Sequence, residues 1–212
     1  MSRAVRFGDA ESAVYDVWEP VGQWAGATVA LVHGGIWQAA YDRHQLRPLA
    51  AALAGEGWHV ANVEYARVGM PLGGWPGTGT TLAAALAAVR DDPELPGPLV
   101  VVGHSAGAHV AVWAASESRV PDLAGVVSLA GLLDLRGNDA GLLGAAVRSL
   151  LGGGPGDVPG SWDDADPIGQ RSDAPIILLH GVDDDLVPPD VAWAYADSRR
   201  PTDARCRVEL VP

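Results

Sequence analysis

Short, mostly apolar runs alternate along the chain with longer segments whose apolar positions recur at helical spacing. Thr28-Val29-Ala30-Leu31-Val32, Gly57 to Tyr65, Leu99 to Val102, Leu123 to Leu129 and Ile176 to Leu179 are apolar runs of this kind. Such runs, rich in β-branched residues, read as strands buried on both faces, as in a parallel sheet. Between them, Arg43 to Gly55, Thr80 to Asp91, Ala106 to Ser118, Leu142 to Leu151 and Asp190 to Ser198 read as helices. Pro48 falls in the first turns of the first helix, where proline is tolerated. Residues 12–18 instead alternate apolar and polar, as an antiparallel outer strand would, and Cys206 to Val211 alternates as a last strand. Gly69 to Gly79 and Gly152 to Gly160 are loose, Gly/Pro-rich connections. Strands alternating with helices predict an α/β fold, a mostly parallel sheet with helices on both faces. One domain, residues 1–212, is expected to hold all of it, with 135–170 as a small insertion beside the site.

The most informative stretch is Leu99-Val100-Val101-Val102-Gly103-His104-Ser105-Ala106-Gly107, where a buried strand ends in Gly-x-Ser-x-Gly and an Ala-rich helix follows at once. A serine on a sharp strand-to-helix turn stands exposed at the end of the sheet, and glycines on both sides let strand and helix approach closely. The strand before and the helix after make Ser105 a candidate nucleophile rather than a bystander in a Gly-rich turn. His33-Gly34-Gly35 and Asp183-Asp184-Asp185 also follow strands, and in open α/β sheets ligand sites gather at the carboxyl ends of strands.

Composition narrows the chemistry. A net charge of −12 makes nucleic acid and anionic membranes poor partners. All 14 positive residues are arginine, so a lysine-dependent phosphate loop and Schiff-base chemistry are excluded. The single cysteine, Cys206, excludes an intrachain disulfide and a cysteine metal cluster. No cofactor and no metal are called for. Three consecutive carboxylates at 183–185 cannot all face one ion, and the Asp-x-Asp-x-Asp spacing of a calcium loop is absent. The first 20 residues lack the continuous apolar core of a signal peptide, and no run approaches the ~18 apolar residues of a membrane span. A soluble cytoplasmic protein is the default expectation, with the oligomeric state open and a homo-oligomer compatible.

With Ser before Asp in chain order, the pattern resembles the α/β-hydrolase fold over nearly the whole chain, and within it the arylformamidase (kynurenine formamidase)/carboxylesterase branch. That branch has a His-Gly-Gly-x-Trp oxyanion loop, here His33-Gly34-Gly35-Ile36-Trp37, and similar stretches to Glu64-Tyr65-Ala66-Arg67-Val68-Gly69, Gly74-Trp75-Pro76 and Leu151-Gly152-Gly153-Gly154-Pro155. The resemblance implies a serine hydrolase that cleaves a small carboxylic ester or an aryl formamide such as N-formylkynurenine through an acyl-enzyme on Ser105. It implies an oxyanion hole from the N–H of Ala106 and from Gly34, Gly35 and Ile36, and, through the pattern H-G-x-x-D-x-x-V-P, an acid at Asp184. Trp37 would line a substrate pocket or pack under the loop. His33 would hold the loop in shape, Glu64 and Arg67 would form a structural ion pair, His104 would pack behind the nucleophile, His109 would lie one turn further along, and Trp193 would be core. A prolyl-oligopeptidase-type peptidase shares the acid-loop motif, but the chain has no room for a propeller or gating domain.

The resemblance also implies a histidine base beyond the last strand. His33, His44, His59, His104, His109 and His180 all precede Asp184, and none takes that place. Two accounts stand: a C-terminally truncated fragment of an active hydrolase, or a non-catalytic ligand-binding relative. The intact elbow, oxyanion loop and acid favour the first. Residues 1–212 alone are then expected to be weakly active or inactive, with apolar surface exposed where a final helix would lie.

Overall fold

The computed structural model describes residues 2–199 and 205–212. Eight strands form one sheet: β1 (Ser2–Arg6), β2 (Val14–Trp18), β3 (Thr28–Val32), β4 (His59–Val63), β5 (Leu99–His104), β6 (Leu123–Leu129), β7 (Ile176–Gly181) and β8 (Cys206–Val211). Their spatial order is β1-β2-β4-β3-β5-β6-β7-β8. The β1–β2 and β2–β4 pairings are antiparallel, and every later pairing is parallel.

Side chains alternate between the two faces. On one face Val29, Leu31 and Val60 pack under Ala50 of α1 (Arg47–Gly55). On the other, Ala30, Val32, Val101, Val126 and Ile176 join the main core. There α2 (Gly77–Arg90) buries Leu82, Ala85, Leu86 and Val89, a single stripe at helical spacing. Each fully buried leucine or valine stabilises the fold by roughly 1.5–3 kcal/mol. All ten residues of α3 (Ala106–Ala115) are buried, five of them alanine and one glycine, so this helix lies in the core against β5 and β6.

The elements beyond β6 complete the second layer: α4 (Gly141–Leu151), α5 (Pro159–Ala165) and α6 (Asp190–Arg199). Helix α5 starts at the end of the stretch expected to be loose, Gly152–Gly160, and runs on through residues for which no element was expected; Pro159 supplies a preset φ at its first turn. Strand β1 was equally unforeseen, because it carries no buried residue to give it a pattern. It pairs with β2, which is therefore not the outermost strand. The helix expected from Arg43 begins as a 3-10 turn, Arg43–Leu46, with the Asp42 carboxylate accepting the His44 N–H, and becomes α-helical at Arg47. Helix α3 ends before Ser118 because Ser116 is extended and Glu117 and Ser118 are left-handed. Trp193 is 38% exposed on α6 and is not core. Val182, Leu186, Leu210 and Val211 are exposed around the β7–β8 edge. Among the described residues no helix is long and apolar enough to cross a membrane.

Candidate active site

From β3 the chain steps outward to β4, then crosses back to β5 on the other side of β3. A reversal of this kind opens a crevice at the carboxyl ends of the strands. The loops leaving β3 and β5 meet there, since Val32 is paired with Gly103. The first carries His33 to Trp37, the second His104 and Ser105.

Ser105 sits at φ 52° and ψ −119° between β5 and α3. A non-glycine residue held there stores about 1–3 kcal/mol of strain. Three hydrogen bonds fix the turn: the Ser105 N–H donates to the Leu129 carbonyl at 2.9 Å, and its own carbonyl accepts from Ala108 and His109 at 3.0 and 3.2 Å. The flanking glycines are required by close packing. A Cβ on Gly103 would come within 2.6 Å of the Ala108 Cα, and one on Gly107 would strike the carbonyl oxygens of Val32 and His33.

The loop after β3 turns through three consecutive left-handed residues, Gly35 (φ 106°), Ile36 (φ 45°) and Trp37 (φ 55°). Among the described residues, the N–H groups of Gly34, Gly35, Ile36 and Ala106 make no backbone hydrogen bond. Buried charge holds this loop. The His33 ring lies 2.7 Å from the Gly34 carbonyl oxygen and 2.9 Å from Glu64 Oε1. Arg67 lies 3.1 Å from the same Glu64 oxygen and donates to the Tyr41 carbonyl. Tyr65 stacks on the His33 ring at 4.6 Å and its hydroxyl donates to the His33 carbonyl at 2.9 Å. Burial opposes ionisation of Glu64, yet the hydrogen bond and charge of His33, the Arg67 guanidinium and the Tyr65 N–H together hold its carboxyl below the ordinary range. The Val68 backbone adds two bonds, donating to the Trp37 carbonyl at 2.8 Å and accepting from Ala39 at 3.0 Å.

Asp184 follows β7, two strands from the Ser105 strand. Its Oδ1 accepts the N–H groups of Leu186 and Val187 at 3.1 and 2.9 Å, which turns the loop and tucks the carboxylate inward. Asp183 and Asp185 point into solvent. His180 is buried below, its Nε2 2.6 Å from the Val187 carbonyl oxygen and 3.6 Å from Asp184 Oδ2, so it braces the loop after β7.

No histidine among the described residues is hydrogen-bonded to Ser105 Oγ. His104 is exposed beside Ser105 instead of packed behind it. Crowding by its neighbours pushes its imidazole pKa down, opposed by the charge of Asp184. Trp37 is 1% exposed and meets the His109 ring edge-on at 5.2 Å; this burial supports packing under the loop rather than the substrate-pocket role. The bracing of the loop by Tyr65 and of the acid turn by His180 was not legible in advance. The Glu64-x-x-Arg67 spacing was its only sequence signal.

A sharp strand-to-helix turn at the switch point of a mostly parallel sheet, with glycine-rich backbone beside it, defines an α/β-hydrolase fold. The BD-FAE family model, that of an α/β-hydrolase-like esterase family, matches residues 16–197, and the chain belongs to this family. Esterase LipQ of Mycobacterium tuberculosis is 28% identical over 192 residues, covering 80% of this chain and 44% of LipQ. The chain thus spans less than half the length of that curated relative. Among solved structures, apo esterase 2 of Thermogutta terrifontis superimposes with a TM-score of 0.77 at 19% identity, over 99% of this chain and 82% of that one. A truncated carbohydrate esterase from gut microbiota gives 0.79 at 19% identity, over 100% of this chain and 87% of that one.

Proposed function

We propose that this chain is the catalytic core of a serine esterase acting on small carboxylic esters. The observation that carries the reading is Ser105, strained on the elbow and set against a loop whose N–H groups are not spent on backbone partners. In this reading Ser105 Oγ attacks the ester carbonyl carbon, and the oxyanion is received by the N–H of Ala106 and by N–H groups of Gly34 to Ile36. Such donors are worth about 3 kcal/mol each in other hydrolases. The C–O bond breaks, the alcohol departs, and water releases the acid from the acyl-serine. Asp184 would orient a histidine base. Because none of the six histidines is bonded to Ser105 Oγ among the described residues, residues 1–212 by themselves are proposed to turn over slowly. That same observation favours a second reading, a ligand-binding relative without catalysis.

The test compares purified wild type and Ser105→Ala on p-nitrophenyl acetate and N-formylkynurenine. The expected result is slow p-nitrophenol release that depends on Ser105 and exceeds formamide cleavage. Cleavage of the formamide in preference to the ester would move the substrate class to aryl formamides. Equal rates for wild type and Ser105→Ala would leave the non-catalytic reading.

A further inference from the structure

His109 stands at the junction of three segments that the chemistry at Ser105 requires to be in register. Its backbone N–H donates to the Ser105 carbonyl at 3.2 Å, so it belongs to the first turn after the nucleophile. Its ring is fully buried, and Nε2 lies 2.9 Å from the Ala165 carbonyl oxygen at the end of α5. With Nε2 donating there, the ring cannot turn without abandoning a buried carbonyl. The fixed ring meets Trp37 at 5.2 Å with planes 86° apart, and Trp75 at 5.8 Å. Trp37 is itself left-handed and follows left-handed Ile36 and Gly35, so the loop sits in a conformation its residues would leave if released. The indole Nε1 and His109 Nδ1 are both buried without a hydrogen-bond partner, so ring packing alone joins the two side chains.

We propose that His109 is a positioning residue: its ring, locked by the Ala165 carbonyl, bears on Trp37 and sets the height of the Gly34–Ile36 backbone relative to Ser105. The proposal rests on the reading of Ser105 as nucleophile and of that backbone as oxyanion donor. It separates the two nitrogens of the ring from the ring itself. The ring itself acts on the loop, and its packing against Trp37 and Trp75 keeps it in place even where the Ala165 bond is lost.

The experiment follows phosphonylation of the 212-residue chain by a p-nitrophenyl alkylphosphonate, read by p-nitrophenolate release and intact mass, with the maximal rate separated from probe affinity. The oxygen on phosphorus gains charge in this reaction as a carbonyl oxygen would, so the rate reports oxyanion geometry and affinity does not. Trp37→Phe and His109→Gln should each lower the maximal rate about tenfold with affinity within about twofold, since small misplacements of catalytic groups have large effects on rate. The double variant should lose about tenfold, not a hundredfold, because both changes cut one contact. His109→Phe, which keeps a ring packed against Trp37 and Trp75, should label within about threefold of wild type. Additive losses, or a His109→Gln rate equal to wild type, would overturn the proposal. If His109→Gln does not give a cooperative melt, Trp37→Phe and His109→Phe decide it: a wild-type rate in the first, or a tenfold loss in the second, contradicts the role. Ser105→Ala serves as the control, and labelling of that variant at the wild-type rate would dismiss the nucleophile itself, whatever the contact does.

Discussion

Gly34 and Ser105 are so close that a Cβ placed on Gly34 would lie 3.2 Å from the Cβ of Ser105, and 2.9 Å from Nδ1 of His104. Loop and elbow therefore touch backbone to side chain, with no room for a methyl group unless one of them moves. Gly34→Ala should lower the phosphonylation rate at Ser105 by at least tenfold while leaving the far-UV spectrum unchanged. Labelling kinetics on the purified variant check it, and a wild-type rate would mean the loop gives way freely.

The strain at Ser105 has a stability consequence. Glycine adopts φ 52°, ψ −119° without a Cβ penalty, so Ser105→Gly should stabilise the fold by about 1 kcal/mol as activity is lost. For a chain of this size that is a rise in Tm of about 2–4 °C, measured by thermal unfolding. A lower Tm would show that the serine side chain makes a net stabilising contact.

At Asp184, structure and charge can be separated. Asp184→Ala strands the N–H groups of Leu186 and Val187 and should cost about 1–2 kcal/mol, whereas Asp183→Ala and Asp185→Ala should change stability by less than about 0.5 kcal/mol. Asp184→Asn keeps an accepting oxygen and should melt close to wild type. Denaturant titration of the four variants checks the ranking. Equal losses at 183, 184 and 185 would place the supporting carboxylate elsewhere.

His109 gives the fold a specific acid sensitivity. Burial lowers its pKa from 6.5 to about 4, the Ala165 carbonyl opposing weakly, so between these values the unfolded chain binds a proton that the folded chain does not. The contribution is fully present above pH 6.5, falls as pH drops, and is flat again below about 4, about 3 kcal/mol in all. Unfolding free energies of wild type and His109→Gln over this range should diverge by that slope. Parallel curves would show that the ring takes up its proton inside the fold without penalty.

How much of this was legible in the chain follows from where the signals are local. The strand-turn-helix around Ser105 and the run Thr28–Val32 declare themselves, because burial and turn geometry act within a few residues, whereas Asp184 stood out from Asp183 and Asp185 only through the resemblance. β1 was silent because an exposed edge strand needs no apolar pattern, and α5 because its glycine and proline outweighed Trp162 and Ala165, its two buried residues. Trp193 and His104 were misplaced because an aromatic on an Ala-rich helix and a histidine in an elbow look the same whether covered or not. The roles of Trp37 and His109 depend on contacts across 72 residues of sequence, Trp37 to His109, and no spacing rule carries those.

The most direct measurement is the stoichiometry and site of phosphonylation. The 212-residue chain is incubated with excess p-nitrophenyl alkylphosphonate, then digested and mapped by mass. One phosphonyl group per chain is expected, on the peptide that contains Ser105, with none in Ser105→Ala and slowed capture in Gly34→Ala. No adduct after prolonged exposure, or an adduct on another residue, would contradict the assignment of Ser105 as the nucleophile on which everything above depends.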